Sequence, residues 1–587
     1  MNRKKISRRE FLRVGTLGVA GAALAACVPA TAPAVEEEAP AAEEDVEEET
    51  AEEVVAEEAE GAELPKDAKG AQELRIITGS SGSASFHFQC LECGGDQQNW
   101  QTFLFAAPLY FDEELTLHPY VFESWEVNDD STEWTFYIDK AARFSNGDPL
   151  YAQDVKGTWE IQTKPENSVG RIVGYIGNVV GFDAAREGTV DTIEGLQIVD
   201  DFTLKISLVD PDPVFHYRIA TCHLNPIHVE SYYESPGWDE WWMPENNPPF
   251  SGPYMLEEYD ADLKTATMVP NPEWWKDEGP YLEKISFVFV TDQNTAAAMI
   301  LNDQADLTLS PLGPEMRDRL PDMFRPIKSF GYGTFWINPN NPPTDDINVR
   351  KALAMAIDWE GVFNATYPAG GGIMTFSVID PELPCRLTKD DVPGSASYYP
   401  YDVEAAKEAL TASTYGSADA LPKLRVTPRG SDVYNNRALE AMMGMWRENL
   451  GLANIEFREQ PDGFGEDMEK LNLNRDDAVI RFPDTITYLW TACSSAGPVT
   501  DPDGSLLPGY ENSEVDDPIF EAMGMDPEDP RRCELAKQAA TAFMEDYLQF
   551  PFGKYQMTLN ARDYVKNYHK GPDVGVIAPW KIYIARS

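Results

Sequence analysis

Basic residues are scarce in this 587-residue chain: 47 Lys and Arg stand against 99 Asp and Glu, a formal net charge of −52. So negative a surface repels phosphate backbones and anionic headgroups, which excludes nucleic acid as a partner and electrostatic docking to a membrane. Histidine is scarcer still, six in all. His216, His223 and His228 do not share a helical face at i, i+4 spacing, so no metal site is read from them. The seven cysteines include one CxxC, Cys90-Leu91-Glu92-Cys93, without the second pair that a tetrahedral zinc site needs. There is no GxxxxGK[ST], HExxH or GxSxG, and Gly79-Ser80-Ser81-Gly82-Ser83 is merely glycine-rich. Carboxylates are so common that none stands out as half of a general acid/base pair. The chain therefore reads as a non-enzyme without a cofactor.

Core-forming residues are plentiful: 43% of the chain is hydrophobic, and its length suggests two to four domains. Charge is unevenly spread. Residues 1–26 carry a net +5, residues 36–63 a net −15, and the remaining body −42. The first 27 residues combine a basic start with an apolar run, Val14 to Ala26, too short to span a membrane as a stable helix. Ser7-Arg8-Arg9-Glu10-Phe11-Leu12-Arg13 resembles a twin-arginine export signal, and Leu24-Ala25-Ala26-Cys27 resembles the lipobox of bacterial lipoproteins. Residues 1–27 are thus expected to be a signal peptide, with Cys27 lipidated and the mature protein exported, anchored to the outer face of the cell membrane or held in the periplasm. Residues 28–71, rich in Ala, Glu and Pro, read as a disordered acidic linker whose like charges repel.

An exported chain permits disulfides among Cys90, Cys93, Cys222, Cys385, Cys493 and Cys533, with connectivity open. From Glu73 onward strand-like runs at 74–77, 133–138, 203–208 and 285–290 alternate with helical patterns at 294–302, 349–357, 403–410, 437–450 and 533–547. That alternation predicts an α/β fold. Aromatics are abundant, with 14 Trp, 25 Tyr and 27 Phe, some set among Pro and Gly as in Trp241-Trp242-Met243-Pro244 and Gly331-Tyr332-Gly333-Thr334-Phe335-Trp336. Such rings can line a cleft for sugar or peptide, or pack a core.

A series of segments in order along the body resembles the family 5 extracellular solute-binding proteins of ABC importers. They are Phe103 to Tyr110, Leu117 to Val127, Trp134 to Ile138, Phe144-Ser145-Asn146-Gly147-Asp148-Pro149-Leu150-Tyr151-Ala152-Gln153-Asp154-Val155, Phe250-Ser251-Gly252-Pro253-Tyr254, Asn271-Pro272-Glu273-Trp274-Trp275, Val349-Arg350-Lys351-Ala352-Leu353-Ala354-Met355-Ala356-Ile357-Asp358, and Tyr510 to Asp516. Read physically, Asn146 to Pro149 is a turn set and Ala152 to Val155 opens a helix with an acid near its first turn. Most of these segments are therefore expected to specify fold.

The resemblance implies a bilobal periplasmic-binding-protein-like clamp, type II, with an extra peripheral domain. Lobe I is expected at 72–109, 199–335 and 546–587, the peripheral domain at 110–198 and lobe II at 336–545. The implied function is capture of an extracellular solute and its delivery to an ABC permease and ATPase complex, by a monomer that meets the membrane only through its lipid anchor. An oligopeptide is the leading ligand and an oligosaccharide the alternative; a secreted hydrolase or glycan-binding surface protein is a further alternative. The implied ligand-binding positions are Asp484 and Arg481 of the segment Arg481-Phe482-Pro483-Asp484-Thr485, Tyr332, Phe335 and Trp336 on the strand before lobe II, and Gln98 and Trp100 on the opposite wall. Asp484 is the expected partner of a peptide α-amine.

Overall fold

The structure is a computed structural model. It describes residues 63–586 apart from 80–96, 168–171, 238–239, 310–311, 313–315, 317–318, 329, 368–370, 392–396, 428–432, 458–470, 479–481, 498–506 and 571–575. The export signal, Cys27, residues 28–62 of the acidic linker and the Cys90/Cys93 pair lie outside the described residues, while the linker's last residues are described, with Lys69 bridged to Ala585. No helix among the described residues is long and apolar enough to cross a membrane.

The first lobe is built on a seven-stranded sheet. Its strand Glu73–Thr78 is apolar enough to be covered on both faces, as a strand flanked by parallel neighbours must be. It pairs in parallel with Lys284–Phe289, placing Ile76 opposite Phe287, and on its other side with Leu307–Thr308. The helix Gln97–Leu104 lies on this sheet: Trp100 meets Phe287 edge-on at 6.0 Å, and Phe103 meets Tyr254 at 5.8 Å. Gly252 makes that packing feasible. Its N–H donates to the Leu104 carbonyl at 2.8 Å, and a Cβ there would stand 2.4 Å from the Leu104 carbonyl carbon.

A second core, running from Ala106 to Leu224 with Trp580 added, forms the peripheral unit. Its four antiparallel strands lie in the order Phe122–Val127, Glu133–Ile138, Thr203–Ser207, Leu196–Asp200. Because Thr203–Ser207 is the bridge between two other strands of this sheet, the unit continues past the expected boundary at residue 198. The turn and helix expected at 146–155 are present. Gly147 takes φ +88°, and Asp154 in the first turn of the helix Ala152–Thr163 accepts the Tyr151 N–H at 3.0 Å and the Val229 N–H at 3.2 Å.

The second lobe has its own core, Phe335 to Phe552, around a six-stranded sheet. The strand Gln549–Tyr555 belongs to it, antiparallel to Tyr332–Ile337, so these residues stand in the second-lobe sheet, and the chain pairs again with the first-lobe sheet at Thr558–Ala561. The family-like segments here serve the fold. Buried Arg350 donates from Nε to the Asp546 carbonyl at 2.8 Å and from Nη1 to the Thr344 carbonyl at 2.9 Å. Tyr510 and Asn512 both donate to the Asp546 carboxylate, at 2.6 and 2.8 Å.

The two lobes are joined where strands pass from one sheet to the other. Arg325–Pro326 pairs with Thr558 and Leu559 in the first sheet, while Tyr332–Ile337 pairs with Gln549–Gly553 in the second. Between these pairings the chain segments hold each other: the Ile327 N–H donates to the Met557 carbonyl at 3.0 Å, and Gln556 Nε2 to the Ile327 carbonyl at 3.1 Å. Two narrow backbone crossings between separately packed cores form a hinge, since few side chains resist rotation there.

Candidate functional site at the hinge and lobe rim

A polar band runs along the second lobe from this hinge. At its start the Gly331 N–H donates to Asp380 Oδ2 at 3.0 Å, and Lys554 Nζ, near the end of the crossing strand, reaches Asp380 Oδ1 at 3.1 Å and also Glu382. Asp380 is fully enclosed, Lys554 nearly so, and Glu382 keeps 18% of its side chain exposed. Burial raises the Asp380 carboxyl above its ordinary value even with Lys554 beside it. One ammonium is thus shared between two carboxylates.

Residues 380–385 carry the band outward. The Pro384 carbonyl accepts the Thr485 hydroxyl at 2.6 Å, and Cys385 is disulfide-bonded to Cys533. Next to Thr485, Asp484 caps the helix Thr485–Cys493 by accepting the Thr487 N–H at 2.8 Å, a role suited to a short acidic side chain ahead of a helix. Its carboxylate also takes both ends of the Arg532 guanidinium, at 2.6 and 3.2 Å. Cys222 and Cys493 are buried and take no part in this disulfide. Among the described residues no group of acidic, histidine and cysteine side chains is arranged to hold a metal.

At the outer end of the band the second lobe meets the peripheral unit. Phe482 is 6% exposed and buries its ring against Phe111 and Val214, with Leu117, Tyr217 and Ala220 around them. Arg218, itself paired with Asp212 at 2.6 Å, sets its guanidinium carbon 5.3 Å from the centre of the Phe482 ring. Burial, then the Glu528 and Asp484 carboxylates, push the Tyr217 phenol above its ordinary value, placing it in the field of the second-lobe rim. Beside this contact a cavity of about 60 Å³ lies between the peripheral unit and the first lobe, lined by Thr102, Phe105, Tyr110, Phe111, Tyr120 and Cys222 among others.

The residues expected to touch ligand divide three ways. Phe335 and Trp336 are 0% and 2% exposed inside the second-lobe core, and Trp100 is 1% exposed inside the first. Their rings pack, because the strand and helix that carry them are covered by other elements. The side chains of Gln98 and Tyr332, and all of Arg481, lie outside the described residues. Asp484 is in the band, with its charge already met by Arg532. Phe482, Asp380, Glu382 and Lys554 were missed. A carboxylate between apolar residues in Val378-Ile379-Asp380 and a lysine inside the run Phe550-Pro551-Phe552-Gly553-Lys554 were the available signals.

Comparison with known proteins agrees with this architecture. The chain is 24% identical over 367 residues to the periplasmic oligopeptide-binding protein OppA of Escherichia coli, covering 61% of this chain and 66% of that protein, just under two thirds of its length. It is 25% identical over 453 residues to the oligopeptide-binding protein OppA of Bacillus subtilis, covering 74% and 78%. Among solved structures, the murein tripeptide-binding protein MppA in its unliganded open form superposes with a TM-score of 0.69 at 21% identity, covering 88% of this chain and 98% of that one. That likeness establishes the bilobal fold. The family model of the bacterial extracellular solute-binding proteins, family 5, matches residues 116–498, which take in most of the peripheral unit, the first of the two hinge crossings and the greater part of the second lobe, and the chain belongs to that family.

Proposed function

We propose that the protein captures an oligopeptide between its two lobes and delivers it to an ABC permease and ATPase, without chemistry on the solute. The observation that carries this reading is the hinge: two backbone crossings join two independently packed cores, the arrangement that lets a ligand favour a closed state by binding it better than the open one. The relatives named for oligopeptides and a murein tripeptide support a peptide as the solute. Asp484 is neutralised by Arg532, so in this reading it shapes the rim. The ionic anchor for an α-amine falls in this reading to Glu382, the carboxylate beside the hinge that keeps part of its side chain exposed. The sugar alternative loses the ring it relied on most, since Trp336 is in the core.

Cys27, following its lipobox-like run, anchors the mature chain by lipid, after export through the twin-arginine route. The protein works as a monomer. Native mass spectrometry of the protein purified from its host tests the reading: adducts with the masses of short peptides are the expected result, and hexose-spaced adducts would overturn it.

A further inference from the structure

The Phe482 contact has a feature that capture alone does not require. Its ring leaves the second-lobe core and is buried instead among Phe111, Val214 and their neighbours on the peripheral unit, under the Arg218 guanidinium. The short segment that presents it is fixed from behind at consecutive positions of one helix. In the helix Pro530–Glu545, Arg532 grips Asp484 and Cys533 is bonded to Cys385, while Thr485 is tied to Pro384 beside Cys385. The ion pair, the disulfide and the hydroxyl bond form a closed ring of contacts around residues 482–485. Lys537, one turn on, adds an ion pair to Asp391 at 2.8 Å, holding the chain beyond Cys385 to the same helix.

We propose that Phe482 is the residue by which the second lobe locks onto the peripheral unit when the clamp closes, and that the Cys385–Cys533 disulfide positions it. The device rests on the clamp reading above but concerns closure, not ligand chemistry. Both cysteines are only partly buried, so a soluble reductant reaches the bond. A dithiol supplies two electrons and two protons, the S–S bond becomes two thiols, and the dithiol is oxidised to its own disulfide. Of the three ties that close the ring, the ion pair and the hydroxyl bond then remain, and the Phe482 ring is presented less firmly.

Hydrogen–deuterium exchange of the full chain, with and without a defined short peptide at saturation, tests this, alongside peptide affinity. In Phe482→Ala, and in the wild type after reduction, amides of 215–220 and 485–493 should exchange several-fold faster, while those of the first-lobe strand 73–78 stay unchanged. Phe482→Leu should restore most of the protection. The effect of reductant should vanish in Cys385→Ser/Cys533→Ser and persist in Cys90→Ser/Cys93→Ser. Peptide dissociation should quicken about tenfold in the variants that exchange faster. Unchanged exchange in Phe482→Ala, or a reductant response that follows Cys90 and Cys93, would overturn the proposal even if peptide binds normally. Faster exchange in a protein that binds no peptide would leave the lock standing and remove the peptide reading.

Discussion

Arg532 holds the Asp484 carboxylate through both terminal nitrogens, at 2.6 and 3.2 Å, in a place where neither side chain is more than 7% exposed. A charge pair so enclosed is costly to break, because the surviving partner is left in a low-dielectric site. Asn caps a helix about as well as Asp. Asp484→Asn therefore isolates the ionic part and should lower the unfolding free energy by about 3 kcal/mol. Denaturant titration is the check, and Asp484→Asn/Arg532→Met should recover part of the loss by removing the stranded guanidinium.

His216 predicts a pH dependence. Its ring stacks on Trp134 at 4.9 Å, and burial lowers its pKa from 6.5 to about 4. The unfolded chain binds a proton below pH 6.5 that the folded ring refuses, so stability present above 6.5 is lost as pH falls toward 4, by about 1.4 kcal/mol per unit. His216→Phe should flatten the melting temperature across that window. An unchanged slope would show that other groups set it.

At Gly252 the obstacle is backbone: a Cβ would lie 2.4 Å from the Leu104 carbonyl carbon and 2.6 Å from the Phe103 oxygen, atoms that cannot rotate away. Gly252→Ala should destabilise the first lobe by several kcal/mol, on the order of 3, as overpacking a rigid contact does. Thermal unfolding should show this, with a melting temperature matching wild type as the contrary outcome.

Lipid attachment at Cys27 has a direct readout. Cys27→Ser should move the protein from the membrane fraction to the soluble exported fraction, because the proposed anchor rests on that one residue. Equal membrane retention would contradict it.

Much of the fold was legible because local pattern and tertiary context agreed. The strands at 73–78, 133–138, 203–207 and 284–289 and the helices at 347–355, 403–412 and 530–545 lie within about three residues of their expected places. The lobe borders were less legible. Strand Gln549–Tyr555 is assigned by its partner Tyr332–Ile337, more than two hundred residues away in sequence, and nothing local records that pairing. The site was hardest to read. Phe335 and Trp336 look like cleft aromatics in sequence, yet both faces of their strand are covered, and Asp484 looks like a free carboxylate until Arg532 is brought to it across 48 positions.

Calorimetric titration with defined peptides and oligosaccharides decides whether the proposed clamp takes peptides. Short peptides with a free α-amine should give saturable heat that weakens on N-acetylation and in Glu382→Gln, and at a hundredfold excess over Kd should raise stability by about 2.7 kcal/mol. Oligosaccharides should give none. Saturable heat from an oligosaccharide, with peptides silent, would contradict the account.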